Sequence, residues 1–192
     1  MAKKSFFILN IFITYFFFIN ISSADLQTKL INKLTATKTL SFDFKQKISD
    51  KEETGNCFIK YPLLMRCNYQ NIKQKTIISN SKTVAVIKKR YKKIYLYPIK
   101  ATPLFFILKK EKIINLIRQN KPNKINSNMI EFEFIDQKTN KVKIFFDKNS
   151  LNFKGWKTRD SYSNDVSFEI NNLKTNIQIV DSFFKIPQEK DL

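Results

Sequence analysis

Two periodicities divide the chain. From Asp25 to Lys38 apolar residues recur at helical spacing, with Leu26, Leu30 and Leu34 in line, Ile31 beside them and Asp25 placed as N-cap. From Leu40 the period drops to two, and Leu40, Phe42, Phe44 and then Ile48 alternate with Ser, Asp and Lys. Short runs of the same kind follow over 54–61, 64–69, 75–79, 83–88 and 92–97, each bounded by Asn, Ser, Lys or Pro. Thr102-Pro103 opens a second helix, with Thr as N-cap and Pro at the first helical position. Its stretch 103–110 is almost wholly apolar, and the pattern extends through Ile113, Ile114 and Ile117. Residues 120–128 are polar, carry Pro122 and read as a loop. Alternation returns over 129–136, 141–147, 151–159 and 165–173, and a last short strand over 182–186 ends at Pro187.

About eleven strands and two helices, with no break that parts two domains, predict an α+β, mainly β fold. The sheet is expected to be one antiparallel meander, curled into a barrel or half-barrel. With only two glycines in the chain, Asn is expected at the left-handed turn positions.

The alternation also sorts faces. Ile130, Phe132 and Phe134 oppose Met129, Glu131 and Glu133; Val142, Ile144 and Phe146 oppose Lys141, Lys143 and Phe145. In the next strand Leu151, Phe153 and Gly155 oppose Asn152, Lys154 and Trp156. One face is therefore apolar and aromatic, the other rich in lysine and wet. Two short helices are little cover for so large a curled sheet. Such half-closed barrels hold hydrophobic ligands, though the same aromatics would equally pack a dry core.

The first 24 residues stand apart. Lys3 and Lys4 precede an apolar run from Phe6 to Ile21, and Ser22-Ser23-Ala24 supplies small residues for cleavage before Asp25. That order predicts a secretory signal peptide, with residues 25–192 as a single exported domain. No Cys follows the small residues, so the signal is not of the lipoprotein type.

Composition narrows the chemistry. The chain has 35 Lys and Arg against 16 Asp and Glu, a net charge of +19, and no histidine. Without His there is no Ser-His-Asp triad, Cys-His pair or His-ligated zinc. Two glycines exclude a Gly-rich phosphate loop. Asp160 and Asp165 flank a turn and are the one candidate carboxylate pair, a common turn composition. The sharpest basic run, Lys88-Lys89-Arg90-Tyr91-Lys92-Lys93, has a Tyr that could stack a base, but an exported protein has no nucleic-acid partner to hand. Neither enzyme nor nucleic-acid binder is the expected class; no cofactor or metal is expected.

Several segments together resemble the LolA family of periplasmic lipoprotein carriers, particularly its alphaproteobacterial branch. They are Phe44-Lys45-Gln46 at the end of the first strand and the hairpin Gly55–Pro62 with Met65–Tyr69. Thr102-Pro103-Leu104 with its apolar run, Leu151…Gly155-Trp156…Asp160, Asn171–Thr175 and Phe183-Phe184…Pro187 complete the set. The resemblance implies an unclosed antiparallel half-barrel with an α-helical lid over an apolar cavity. It implies a carrier that shields lipoprotein acyl chains between the inner and outer membranes. The implied partners are acylated lipoproteins, an inner-membrane lipoprotein-releasing ABC transporter, an outer-membrane receptor and, transiently, membrane surfaces; the carrier itself is a monomer. The alternative on the same scaffold is a periplasmic lipid- or glycolipid-binding or envelope-stress-sensing protein. Leu30, Leu34, Leu104 and Leu108 are the implied lid residues. Phe44, Ile59, Met65, Tyr69, Phe132, Phe134, Ile144, Phe146 and Phe153 are the implied wall. The inward choice of odd positions in the early hairpin comes from the family. Tyr61 stands where the family often has an Arg that reaches the lid; a phenol could still donate one hydrogen bond to a lid carbonyl.

Cys57 and Cys67 lie on adjacent strands of that hairpin. If residue 61 faces 65, Cys57 is diagonal to Cys67 and at the limit of bridging; a shifted register would bring them opposite. Disulfide and two buried thiols both remain open at this point.

Overall fold

A computed structural model describes residues 23–135, 141–159 and 163–192. The expected signal peptide, but for its last two residues, lies outside the described residues, as does Asp160. Helix α1 (Ser23–Ala36) precedes strands β1 (Thr39–Ile48), β2 (Lys51–Lys60), β3 (Leu64–Tyr69), β4 (Lys75–Asn80), β5 (Thr83–Lys88) and β6 (Lys93–Pro98). Helices α2 (Leu104–Leu108) and α3 (Lys110–Gln119) follow, then β7 (Lys124–Ile125), β8 (Met129–Ile135), β9 (Lys141–Asp147), β10 (Phe153–Arg159) and β11 (Asp165–Thr175). The eleven strands form one sheet in the order β6-β5-β4-β3-β2-β1-β11-β10-β9-β8-β7. All neighbours are antiparallel. The ladder is unclosed, because β6 and β7 do not pair. Val84 of β5 and Ile130 of β8 nevertheless share one apolar cluster, so the sheet curls round. The three helices fill its inner face.

The strands form where the alternation placed them, and most differences come from single residues that break the period. The expected continuous second helix is interrupted at Lys109, whose ψ of 81° leaves the helical region and separates α2 from α3. Thr102 does not cap it: its hydroxyl donates to the Ile99 carbonyl at 2.9 Å. Asp25 is not the N-cap of α1 but lies in its first turn, paired with Lys29 at 2.7 Å. In β10 the register shifts between Phe153 and Gly155. A bulge there turns Trp156 to the same inner face as Phe153, correcting the expected opposition of the two. Gly155 is required at this point, since its φ is +136° and a Cβ would stand 1.9 Å from the Phe168 carbonyl oxygen.

Two further corrections concern the count. The loop 120–128 contains the short strand β7, whereas 182–186 is not a strand; Asp181–Phe184 is a 3₁₀ turn. The reason is that the outer face of β4–β6 is apolar too. Ile78, Ala85 and Ile87 are buried there against Ile94, Ile186 and Leu192. The C-terminal segment lies across this face as a strap. Phe183 meets Phe58 edge-on at 5.1 Å, Arg66 stacks over Phe183 at 4.9 Å, and Arg66 donates to the Phe183 carbonyl. At the open edge, the Ile94 N–H donates to the Glu189 carboxylate at 3.1 Å.

Asn shapes turns differently from the expectation. Among the described non-glycine residues with positive φ, only Asn172 and Asn176 are Asn; Ser49, Ser81 and Ser163 are among the others. Asn80 and Asn126 instead sit at turn entrances, where their side chains accept N–H groups two and three residues on.

Candidate functional site: an apolar interior under three helices

The inner face is one apolar cluster, and aromatic rings cross it from strand to strand. Tyr69 of β3 meets Phe44 of β1 at 4.8 Å, Phe44 stacks on Phe168 of β11 at 4.8 Å, and Phe168 stacks on Trp156 of β10 at 4.1 Å. The run continues through Phe153 (5.9 Å), Phe146 of β9 (5.6 Å) and Phe132 of β8 (6.2 Å). Each such contact adds about 0.5–1.5 kcal/mol to area burial. Gly55 makes the run possible at one end. It pairs with Phe44 across β1 and β2, and a Cβ there would stand 2.8 Å from the Phe44 ring.

All the lid and wall residues named from the sequence, and Tyr61 with them, fall in this cluster. Leu30, Leu34, Leu108, Phe44, Ile59, Met65, Tyr69, Phe132, Ile144, Phe146 and Phe153 are buried, and Tyr61, Leu104 and Phe134 are half-buried against them. The structure adds Phe168 and Ile170, whose even-numbered alternation in β11 was visible in the sequence, and Trp156, which the bulge hid. It also adds Ile113 and Ile117, spaced i, i+4 on α3. Phe106 of α2 stacks on Phe134 at 3.8 Å, joining a covering helix to the wall.

Residues of all three helices pack into the apolar cluster of the inner face. Beneath α1, between Leu34, Tyr61, Phe153 and Leu173, the free space is about 20 Å³, on the order of one water molecule. An open concavity of about 880 Å³ lies elsewhere, lined by Lys47, Lys143, Lys157 and Arg159, and is not an apolar chamber.

Polar contacts at the margin hold the helices down. The Lys110 ammonium, at the α2–α3 junction, donates to the Thr35 carbonyl at 3.0 Å and the Thr37 carbonyl at 2.7 Å, and lies 5.5 Å from the Tyr61 ring. Leu63 N–H, in the β2–β3 turn, donates to the Leu108 carbonyl at 3.0 Å. Gln27 of α1 donates to the Ile117 and Asn120 carbonyls of α3. Tyr61 thus meets the lid through its ring, and the tie to carbonyls comes from Lys110. Burial pushes the Tyr61 phenol far above its ordinary range, with the Glu111 charge adding to the effect. Burial does the same for Tyr69, reinforced by Glu53; its hydroxyl donates to Gln46 at 2.7 Å. Burial lowers the Lys110 pKa against the opposing pull of Glu111.

The hairpin that carries Tyr61 is stapled. Its register is Lys60↔Leu64 and Cys57↔Cys67, two residues from the pairing assumed from the sequence, so the cysteines stand opposite with Cα atoms 4.1 Å apart and form a disulfide. Asp165, the described half of the carboxylate pair, is bound to Arg159 at 3.0 Å.

What such an interior can do is exchange one set of apolar contacts for another. No curated sequence matches the chain. Among solved structures, an uncharacterized conserved protein from Thermus thermophilus superposes with a TM-score of 0.52 at 8% identity, covering 86% of this chain and 95% of that one. A LolA superfamily protein from Nitrosomonas europaea gives 0.46 at 7% identity, covering 86% and 98%. A chain of the Pseudomonas aeruginosa MucA/MucB complex gives 0.47 at 7% identity, covering 87% and 62%. At 8% identity the Thermus likeness speaks for the fold alone. The family model of the outer membrane lipoprotein carrier protein LolA matches residues 35–187, most of the described sheet and lid, and the chain therefore belongs to the LolA family.

Proposed function

We propose that the protein is a periplasmic carrier that takes an acylated lipoprotein from an inner-membrane ABC transporter, shelters its acyl chains and yields them at the outer membrane. The observation that carries this reading is the aromatic inner face, continuous from β3 round to β8 and covered by three helices. Each buried CH₂ is worth roughly 0.8 kcal/mol, so a chain of about sixteen carbons gains on the order of 12 kcal/mol on leaving water. Holding that tightly would prevent delivery. Leu30, Leu34, Leu104 and Leu108 occupy the wall in the closed form and offset part of the gain, because the ligand must displace contacts already made. The lid and wall residues named from the sequence, with Tyr61, are the proposed contact set. Family membership supports the acyl-chain class of ligand.

The test is release of a triacylated lipoprotein from spheroplasts. Added protein is expected to bring the lipoprotein into the soluble phase in a saturable way. Lipoprotein that stays membrane-bound at saturating protein would overturn the carrier assignment.

A further inference from the structure

We infer that the open sheet edge at β6 is a docking site for an extended, acidic peptide segment of a partner protein, which adds to the sheet as one more strand. β6 is the last strand at its side of the ladder and pairs only with β5. In an antiparallel strand the N–H and C=O of one residue point to the same side, and the side alternates along the chain. The Ile99 N–H donates to the Lys82 carbonyl at 3.0 Å, on the β5 side, whereas the Ile94 N–H donates to the Glu189 carboxylate at 3.1 Å, on the other. By that alternation the Ile94 carbonyl and both backbone groups of Leu96 face away from β5. Outside the β5 ladder, no hydrogen bond reaches Leu96 among the described residues. Such an edge is a template for strand addition. The outward N–H that is already taken, that of Ile94, has a carboxylate as its acceptor.

The usual guards of a sheet edge are a Lys and a Pro. Here they stand at the two ends of the strand, as Lys93 and Pro98, and leave 94–97 between them without a charge. In that stretch Tyr95 is 43% exposed, Leu96 60% and Tyr97 46%. Alternation sets Tyr95 and Tyr97 on one face and Leu96 with Ile94 on the other, so an added strand meets apolar surface on both of its faces. Charge complementarity selects the occupant. Lys88, paired with Lys93, marks one end of the edge, and Lys82 and Lys100 mark the other. None of these four has a carboxylate partner among the described residues. The Lys88 ammonium lies 5.0 Å from the Tyr95 ring, close beside the strand. A second copy of the chain, paired antiparallel through 94–97, would set the Lys93 end of each edge against the Lys100 end of the other, like charge against like. An acidic strand meets cations at both ends instead. At the opposite side of the ladder β7 has only two residues and offers no comparable template. The inference stands on the edge's backbone, exposure and charge and does not require the carrier reading.

The experiment is fluorescence anisotropy of the exported protein with a labelled short peptide that alternates Glu with Val and Thr. Two control peptides accompany it, one with Gln for every Glu and one with alternate amides N-methylated, which keeps the charge and removes the strand's donors. No lipid or lipoprotein is present, so the outcome is separate from carrier activity. The acidic peptide is expected to bind, and both controls to bind roughly ten-fold more weakly or not at all. Leu96→Pro deletes an outward N–H without touching the β5 ladder and should abolish binding. Lys93→Gln with Lys100→Gln should weaken it and flatten its salt dependence. Equal binding of the N-methylated peptide would show attraction by charge alone and overturn the inference. So would absence of binding at low salt, a Leu96→Pro variant that binds like the wild type, or a dimer in sedimentation that Leu96→Pro dissolves, which would give the edge to a second copy. Thermal unfolding checks that each variant is folded; should one not fold, the three peptides compared on the wild type still decide.

Discussion

Replacing Lys110 by Met isolates the energy that keeps the lid shut. Met retains the apolar stem and its packing but removes the ammonium that bonds the Thr35 and Thr37 carbonyls at the C-terminal end of α1. Hydrogen bonds from a charged donor are worth about 1.5–3 kcal/mol each, and a cation at a helix C-terminus about 0.3–1 kcal/mol more. The ammonium is half-buried and burial lowers its pKa, so desolvation returns part of that gain, and solvent screens part of the rest. A net loss of about 1–2 kcal/mol on lid closure follows, which raises the open population roughly five- to thirty-fold. Amide exchange in 104–119 should accelerate by that factor. Where the open form is the binding form, the apparent affinity for a fluorescent fatty-acid analogue should rise equally. Unchanged exchange over 104–119, or affinity unchanged or lowered, would refute the assignment of Lys110 as the latch.

The Cys57–Cys67 bridge closes a loop with a sequence separation of 10, for which the chain-entropy model gives about 2.5–3 kcal/mol. Cys57→Ala with Cys67→Ala should lower unfolding stability in urea by about that amount, and an unshifted midpoint would contradict it. Tyr61 and Tyr69 have phenol pKa values raised by burial above the unfolded value of 10.0. The stability they contribute is therefore present below pH 10 and is lost as pH rises beyond it, when unfolded phenols ionise and folded ones do not. Lys75 and Lys110, whose pKa values are lowered, act in the opposite sense below 10.5. The clean measurement is thus a difference: Tyr61→Phe with Tyr69→Phe should flatten the decline of the urea midpoint above pH 10 relative to the wild type, and parallel curves would refute the burial argument.

Strand positions were legible because a buried face forces a period of two, and most of the strands carry several apolar residues in that rhythm. β7 has only Lys124 and Ile125, too short to show any period. Turn chemistry was half legible. Asn80 and Asn126 mark turns by accepting N–H groups, yet the left-handed position beside Asn80 is Ser81, and most other left-handed positions among the described residues are not Asn either. The disulfide turned on a two-residue shift of hairpin register, which depends on how the turn 61–63 closes and not on any residue type near the cysteines.

The sequence by itself determined that an aromatic face exists, which residues of β8 and β9 belong to it, and that two leucine-bearing helices are available to cover it. Those follow from spacing, because side-chain direction is fixed locally by φ and ψ. Only the tertiary structure decided the rest. One bulge before Gly155 moved Trp156 from the wet face into the aromatic run. The outer apolar patch of β4–β6 drew the C-terminal segment across it in place of a strand. The tie to lid carbonyls comes from Lys110, with the Tyr61 ring beside it, where the sequence pointed to the Tyr61 phenol as a donor. Each depends on which distant segment is present to satisfy a surface, a carbonyl or a ring, and periodicity along the chain holds no record of that.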